Sequence, residues 1–140
     1  MKKIDRRKNY FLVVDTETAN GLVDALVYDY GFKVVDRHGN VYHQDSMLIY
    51  DIFVLERELM QSAYYAEKIP SYEQMLKDKK IRLVQFSTAR KLTADVMAEY
   101  GIIKVWAYNA RFDRNSLNTT MRYLTKSKYR YFFRRGTEVC

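Results

Sequence analysis

One cysteine, one proline, five glycines and two histidines are all that this 140-residue chain holds of the residues that staple, break or ligate. Cys140 alone excludes an internal disulfide and a cysteine-built zinc cluster. So little proline and glycine, beside 48% apolar and 29% charged residues, argues against a long disordered linker and for a globular chain with a sizeable core. His38 and His43 flank a Gly39-Asn40 turn and read as exposed hairpin residues rather than ligands. No apolar run is long enough to span a bilayer and no signal-peptide pattern is visible, so a cytoplasmic protein is expected.

Basic side chains outnumber acidic ones, 24 to 17. The formal charge is +7 and the pI near 9.4, a balance that favours a polyanionic partner. The excess gathers at the two ends. Lys2, Lys3, Arg6, Arg7 and Lys8 form a basic tail over residues 1–8. Lys126, Lys128, Arg130, Arg134 and Arg135 come late, interleaved with Tyr129, Tyr131, Phe132 and Phe133. A basic–aromatic stretch of this kind suits single-stranded nucleic acid; a solvated edge strand is the competing reading. Residues 1–140 are expected to form one domain.

The chain centres on Tyr10-Phe11-Leu12-Val13-Val14-Asp15-Thr16-Glu17-Thr18. Five apolar residues in succession predict a strand buried on both faces, central in a sheet. Alternation along a strand points Asp15 and Glu17 the same way. Two hard oxygen donors aimed together suit Mg²⁺ or Mn²⁺. A polar turn, with Thr16 and Thr18 bonding locally, would explain the same residues without a metal.

Further along, Asn20-Gly21 marks a turn, Ala25–Tyr30 running on toward Val35 a second strand, and Val41–Tyr50 a third, so that Gly31–Tyr50 reads as an antiparallel hairpin. Val54–Met60 has helical spacing, continuing to about Ala66, where Ile69-Pro70-Ser71 interrupts it. Ser71 then opens a short helix over Tyr72–Asp78. Ile81–Phe86 is a strand or an extended connection. Ser87 is placed to cap a helix carrying Leu92, Val96 and Tyr100, closed by Gly101. Ile102–Tyr108 predicts a second buried strand, parallel beside the first. A turn at Asn109 leads to a helix over Asp113–Leu124, and Tyr129–Phe133 could begin a further strand. The order implies an α/β domain with a mixed central sheet flanked by helices, with Asp15, Glu17 and Asp113 emerging at one sheet edge.

Asp15-Thr16-Glu17-Thr18 ending a hydrophobic strand resembles the first motif of the DEDD 3′–5′ exonucleases, the DnaQ-like group that includes bacterial proofreading subunits and ribonuclease T. Ala107-Tyr108-Asn109-Ala110-Arg111-Phe112-Asp113 resembles their second motif. The likeness runs from about Tyr10 to Leu124 and has a bacteriophage character. It implies a ribonuclease H-like exonuclease fold, C-terminally shortened, and two-metal phosphodiester hydrolysis with Mg²⁺ or Mn²⁺. On that resemblance Asp15, Glu17 and Asp113 are the catalytic, metal-binding carboxylates, with Asp15 bridging two ions. Thr16, Thr18, Asn109 and Phe112 are the substrate-contacting candidates. The family's third motif, a His or Tyr base with a final Asp, has no counterpart: after Asp113 there is no His and no Asp, and Glu138 is the sole acidic side chain. The resemblance therefore implies an incomplete exonuclease domain, weakly active or inactive as this chain. The alternative is a non-catalytic binding module on a nuclease-like fold, such as a phage-encoded inhibitor of a host defence nuclease. The implied partner is single-stranded nucleic acid or a nucleic-acid-bound protein, in the host cytoplasm if the chain is phage-encoded.

Overall fold

A computed structural model describes residues 4–5, 7–21, 23–62, 66–126 and 130–140. Lys2, Lys3, Arg6, Lys128 and Tyr129 of the two basic segments lie outside the described residues. In chain order the elements are β1 (Tyr10–Ala19), β2 (Leu26–Asp36), β3 (Val41–Ile49), α1 (Tyr50–Phe53), α2 (Arg57–Ser62), a single 3₁₀ turn (Ala66–Lys68), α3 (Ile69–Lys77), β4 (Arg82–Val84), α4 (Phe86–Tyr100), β5 (Lys104–Trp106), α5 (Ala110–Thr125) and β6 (Glu138–Val139). The chain is thus α/β, with one mixed six-stranded sheet ordered β4-β3-β2-β1-β5-β6 and flanked by helices. β2 runs antiparallel to both neighbours, while β1–β5, β5–β6 and β3–β4 are parallel pairs.

β1 is interior, as expected, but it is not buried equally on both faces. Leu12 and Val14 are sealed, together with their β2 partners Val34 and Phe32, whereas Phe11 and Val13 on the opposite face are half-buried. The sealed face lies under the two long helices: Tyr30 shares a 2.8 Å hydroxyl–hydroxyl hydrogen bond with Thr93 of α4, and Leu117 and Met121 of α5 are core residues. The hairpin between β2 and β3 is held by Asp36, whose carboxylate accepts from the backbone N–H groups of His38 and Asn40, the Asn40 amide and the Tyr42 hydroxyl. These donors hold the Asp36 carboxyl well below the usual carboxylate range.

Several boundaries fall elsewhere than periodicity places them. The helix expected from Val54 starts only at Arg57, as α2; Val54–Glu56 are turn residues that separate it from the short α1, which takes up residues just after β3. Pro70 does not interrupt a helix but sits in the first turn of α3, where its missing N–H costs nothing, and Ser71 lies inside rather than capping. α4 begins at Phe86, one residue before the expected Ser87 cap. The Phe86 N–H donates instead to Asp51 Oδ1 at 2.7 Å, a cap supplied from 35 residues away. Gly101 does close α4 in the left-handed conformation at φ 65°. Leu92, Val96 and Tyr100 pack only partly; the buried stripe is Ala89, Thr93 and Met97. β5 is shorter than Ile102–Tyr108, with Val105 sealed and Tyr108 wholly in solvent. No described residue of the Tyr129–Phe133 stretch is in a strand; the sheet gains β6 only at Glu138.

Candidate active site

The parallel pairing of Leu12 and Val13 with Val105 and Trp106 brings the C-terminal ends of β1 and β5 to one sheet edge. From that end of β5 the chain turns into α5. Asn109 caps the helix, its side-chain oxygen accepting from the Phe112 N–H at 3.4 Å, and the Asp113 N–H bonds back to the Asn109 carbonyl at 3.0 Å. Asp113 is thereby held in the first turn, where the helix dipole favours a negative charge. Its side chain is 7% exposed, and Thr16 Oγ donates to Asp113 Oδ1 at 2.6 Å. Thr16 therefore does not bond locally. It joins β1 to α5 across 97 residues of sequence.

Asp15 and Glu17 occupy the alternate positions of β1, on the face opposite Leu12, Val14 and Thr16. Asp15 is exposed and Glu17 half-buried. Register places Gly31 across from Asp15 and Asp29 across from Glu17. An open cleft of about 400 Å³ runs over this face, lined by Asp15, Glu17, Asp29, Lys33 and Ser46, with Met75 and Ile81 closing one side. A Cβ added at Gly31 would touch the Asp45 carbonyl oxygen of β3 at 3.5 Å, an ordinary contact.

Electrostatically, these carboxylates act on each other. Burial first, then the charges of Asp15 and Asp29 and more weakly Asp113, push the Glu17 carboxyl above its ordinary value, while Lys68 pulls it down. Asp29 is raised by burial and by Asp15, opposed by the Tyr72 hydroxyl, which donates to Asp29 Oδ2 at 2.7 Å. Asp113 is raised by burial and by Asp15, against the Thr16 hydroxyl and the backbone groups of Asn109 and Thr16. Asp29 and Tyr72 carry no motif signal. Only the β1–β2 register could have paired Asp29 with Glu17, and a bulge between Glu17 and Thr18 hides that register from residue counting.

The expected site residues thus divide. Asp15, Glu17 and Asp113 gather at one sheet edge, but Asp113 is engaged from the far side of the strand by Thr16. Among the described residues no three His, Cys, Asp or Glu side chains are grouped so as to hold a metal ion. Thr18 is half-buried. Phe112 is half-buried too, and with Asn109 it lines a separate cleft of about 410 Å³ together with Arg111 and Asn115. No helix among the described residues is long and apolar enough to cross a membrane. No protein-family model matches this sequence, and no curated protein matches it.

Proposed function

We propose that this chain carries a DEDD-type 3′–5′ exonuclease-like phosphodiesterase site on a ribonuclease H-like sheet, with Asp15, Glu17 and Asp113 as its metal-binding carboxylates. The observation that carries the reading is the Thr16–Asp113 hydrogen bond, which unites the two motif-like segments at the carboxyl edge of a parallel strand pair. Ligands of open α/β sheets bind at such edges. The sheet order, with β2 alone antiparallel to its neighbours, is compatible with that fold.

The donor chemistry fits Mg²⁺ or Mn²⁺: hard carboxylate oxygens, with Glu17 raised by burial first and then by the charges of Asp15 and Asp29, a cost that an added cation would relieve. Asp15 and Glu17 would hold such an ion, and Asp113, whose Oδ1 accepts from Thr16, would be the third holder. Bound there, such an ion supplies an activated water and positive charge opposite the phosphodiester. On this reading Phe112, half-buried in the neighbouring cleft, would pack against a terminal nucleotide or anchor the turn, and Asn109 would orient that turn. Neither histidine is positioned to act as the base, since both belong to the hairpin at the other end of β2. Hydrolysis by these residues is therefore slow, because general-base catalysis typically contributes about 10²- to 10⁴-fold.

A second reading, a non-catalytic binding module, is favoured by the absence of a gathered three-donor group among the described residues. The two separate on one pair of measurements. Mn²⁺ titration calorimetry of wild type and Asp15→Asn is expected to show weak binding that the substitution removes. A 5′-labelled single strand incubated with Mn²⁺ is expected to shorten slowly with wild type and not with Asp15→Ala. Equal Mn²⁺ affinity in both proteins, with no cleavage by either, rejects the exonuclease reading and leaves the binding module.

A further inference from the structure

Among its described residues, the late basic–aromatic segment is partly buried rather than wholly on the surface. Phe132 and Phe133 are 3% and 9% exposed, and Phe132 packs edge-on or tilted against Tyr30 and Phe86. Two core anchors therefore fix the backbone on either side of their neighbours. Arg90 Nε donates to the carbonyls of Tyr131 and Phe132, the Phe132 N–H donates to Asn118 Oδ1 at 2.9 Å, and the Thr137 N–H closes a turn onto the Arg134 carbonyl. What remains outside is Tyr131, 59% exposed, with Arg134 and Arg135. Arg114, on the first turns of α5, faces the same space. Together they line a cleft of about 500 Å³ floored by Phe133 and Asn118. No carboxylate lines it, and none of the three arginines takes part in an ion pair among the described residues. Lysines and arginines elsewhere are partly committed: Arg7 to Asp5, Arg57 to Glu73, Arg82 to Asp45 and Lys91 to Asp95.

We infer that this cleft binds single-stranded nucleic acid, with Arg114, Arg134 and Arg135 on successive phosphates and an unpaired base on Tyr131. Guanidinium groups suit phosphate because their planar donors match its oxygens. An exposed tyrosine beside them offers a stacking face that a paired base cannot use, which selects single strands. The volume lies within the roughly 300–1,000 Å³ of ligand clefts. The site is distinct from the carboxylate edge and does not depend on a metal, so it stands whether or not Asp15 and Glu17 support hydrolysis.

The test is fluorescence anisotropy of a labelled ten-residue oligodeoxythymidylate with the full chain in EDTA, across a salt series. The triple variant Arg114→Gln/Arg134→Gln/Arg135→Gln is expected to lose about ten-fold or more in affinity. Its log–log salt slope should flatten by about 2, at roughly 0.7 per phosphate contact on a single strand. Tyr131→Ala is expected to weaken binding by roughly ten-fold, with Tyr131→Phe restoring it. Neutralising Lys77, Lys79 and Lys80, three exposed cations outside the cleft, should change affinity little. The proposal is overturned if the arginine variant, folded by circular dichroism, binds as wild type does. It is equally overturned if Tyr131→Ala has no effect, or if the lysine variant loses as much as the arginine one.

Discussion

The two faces of β1 are made by the same ten residues and do opposite work. On one, Leu12 and Val14 vanish beneath α4 and α5, and even the polar Thr16 turns inward to bond Asp113. On the other, Phe11 and Val13 are only half covered, and the strand ends in Asp15 and Glu17 over an open cleft. Hydrophobic burial on the first face is what makes the second affordable, because desolvated carboxylates that repel each other lower stability.

The largest expected effect comes from breaking the packed face. Leu12→Ala removes a fully buried side chain from an interior strand and should cost about 2–5 kcal/mol in urea unfolding. A cost below about 1 kcal/mol would mean that the face is not packed as described. Thr16→Val comes next. It keeps the shape and deletes the donor to a buried carboxylate, which should cost about 1.5–3 kcal/mol and raise the Asp113 proton affinity further. Unfolding curves, with the Asp113 carboxyl followed by NMR titration, would check both parts.

The smallest effect is on the open face, and its sign is reversed. Asp29→Asn keeps an acceptor for the Tyr72 hydroxyl but removes a desolvated charge beside Glu17 and Asp15, so the variant should melt a few degrees higher at neutral pH. The folded-state affinity of Asp29 for its proton is raised, so wild type loses stability as pH climbs through that raised value. The gain from Asn should therefore be absent below the ordinary carboxylate range and grow above it. A variant that is less stable at pH 7 than wild type would show that the Asp29 charge is compensated by something other than Tyr72.

Legibility in the sequence followed the range of the interactions involved. Alternation is local, so the common direction of Asp15 and Glu17 and the β2–β3 hairpin could be read from neighbouring residues. So could the left-handed Gly101, whereas α5 begins at Ala110 behind an Asn109 cap, earlier than the expected start at Asp113. The helix break at Val54–Glu56 and the start of α4 could not, since Asp51 supplies the α4 cap through space.

By itself, then, the sequence determined an α/β chain with an interior first strand ending in paired carboxylates, a following hairpin, and a helix bringing Asp113 to the same edge. Those features rest on side-chain periods of two and 3.6 and on residues with strong local preferences. Tertiary structure alone decided that Thr16 would take Asp113, that Asp29 would stand beside Glu17, and that Phe132 and Phe133 would be buried while Tyr131, Arg134 and Arg135 stayed outside. Each of these depends on register or packing between segments far apart in the chain, where burial and hydrogen-bond satisfaction override what neighbouring residues prefer.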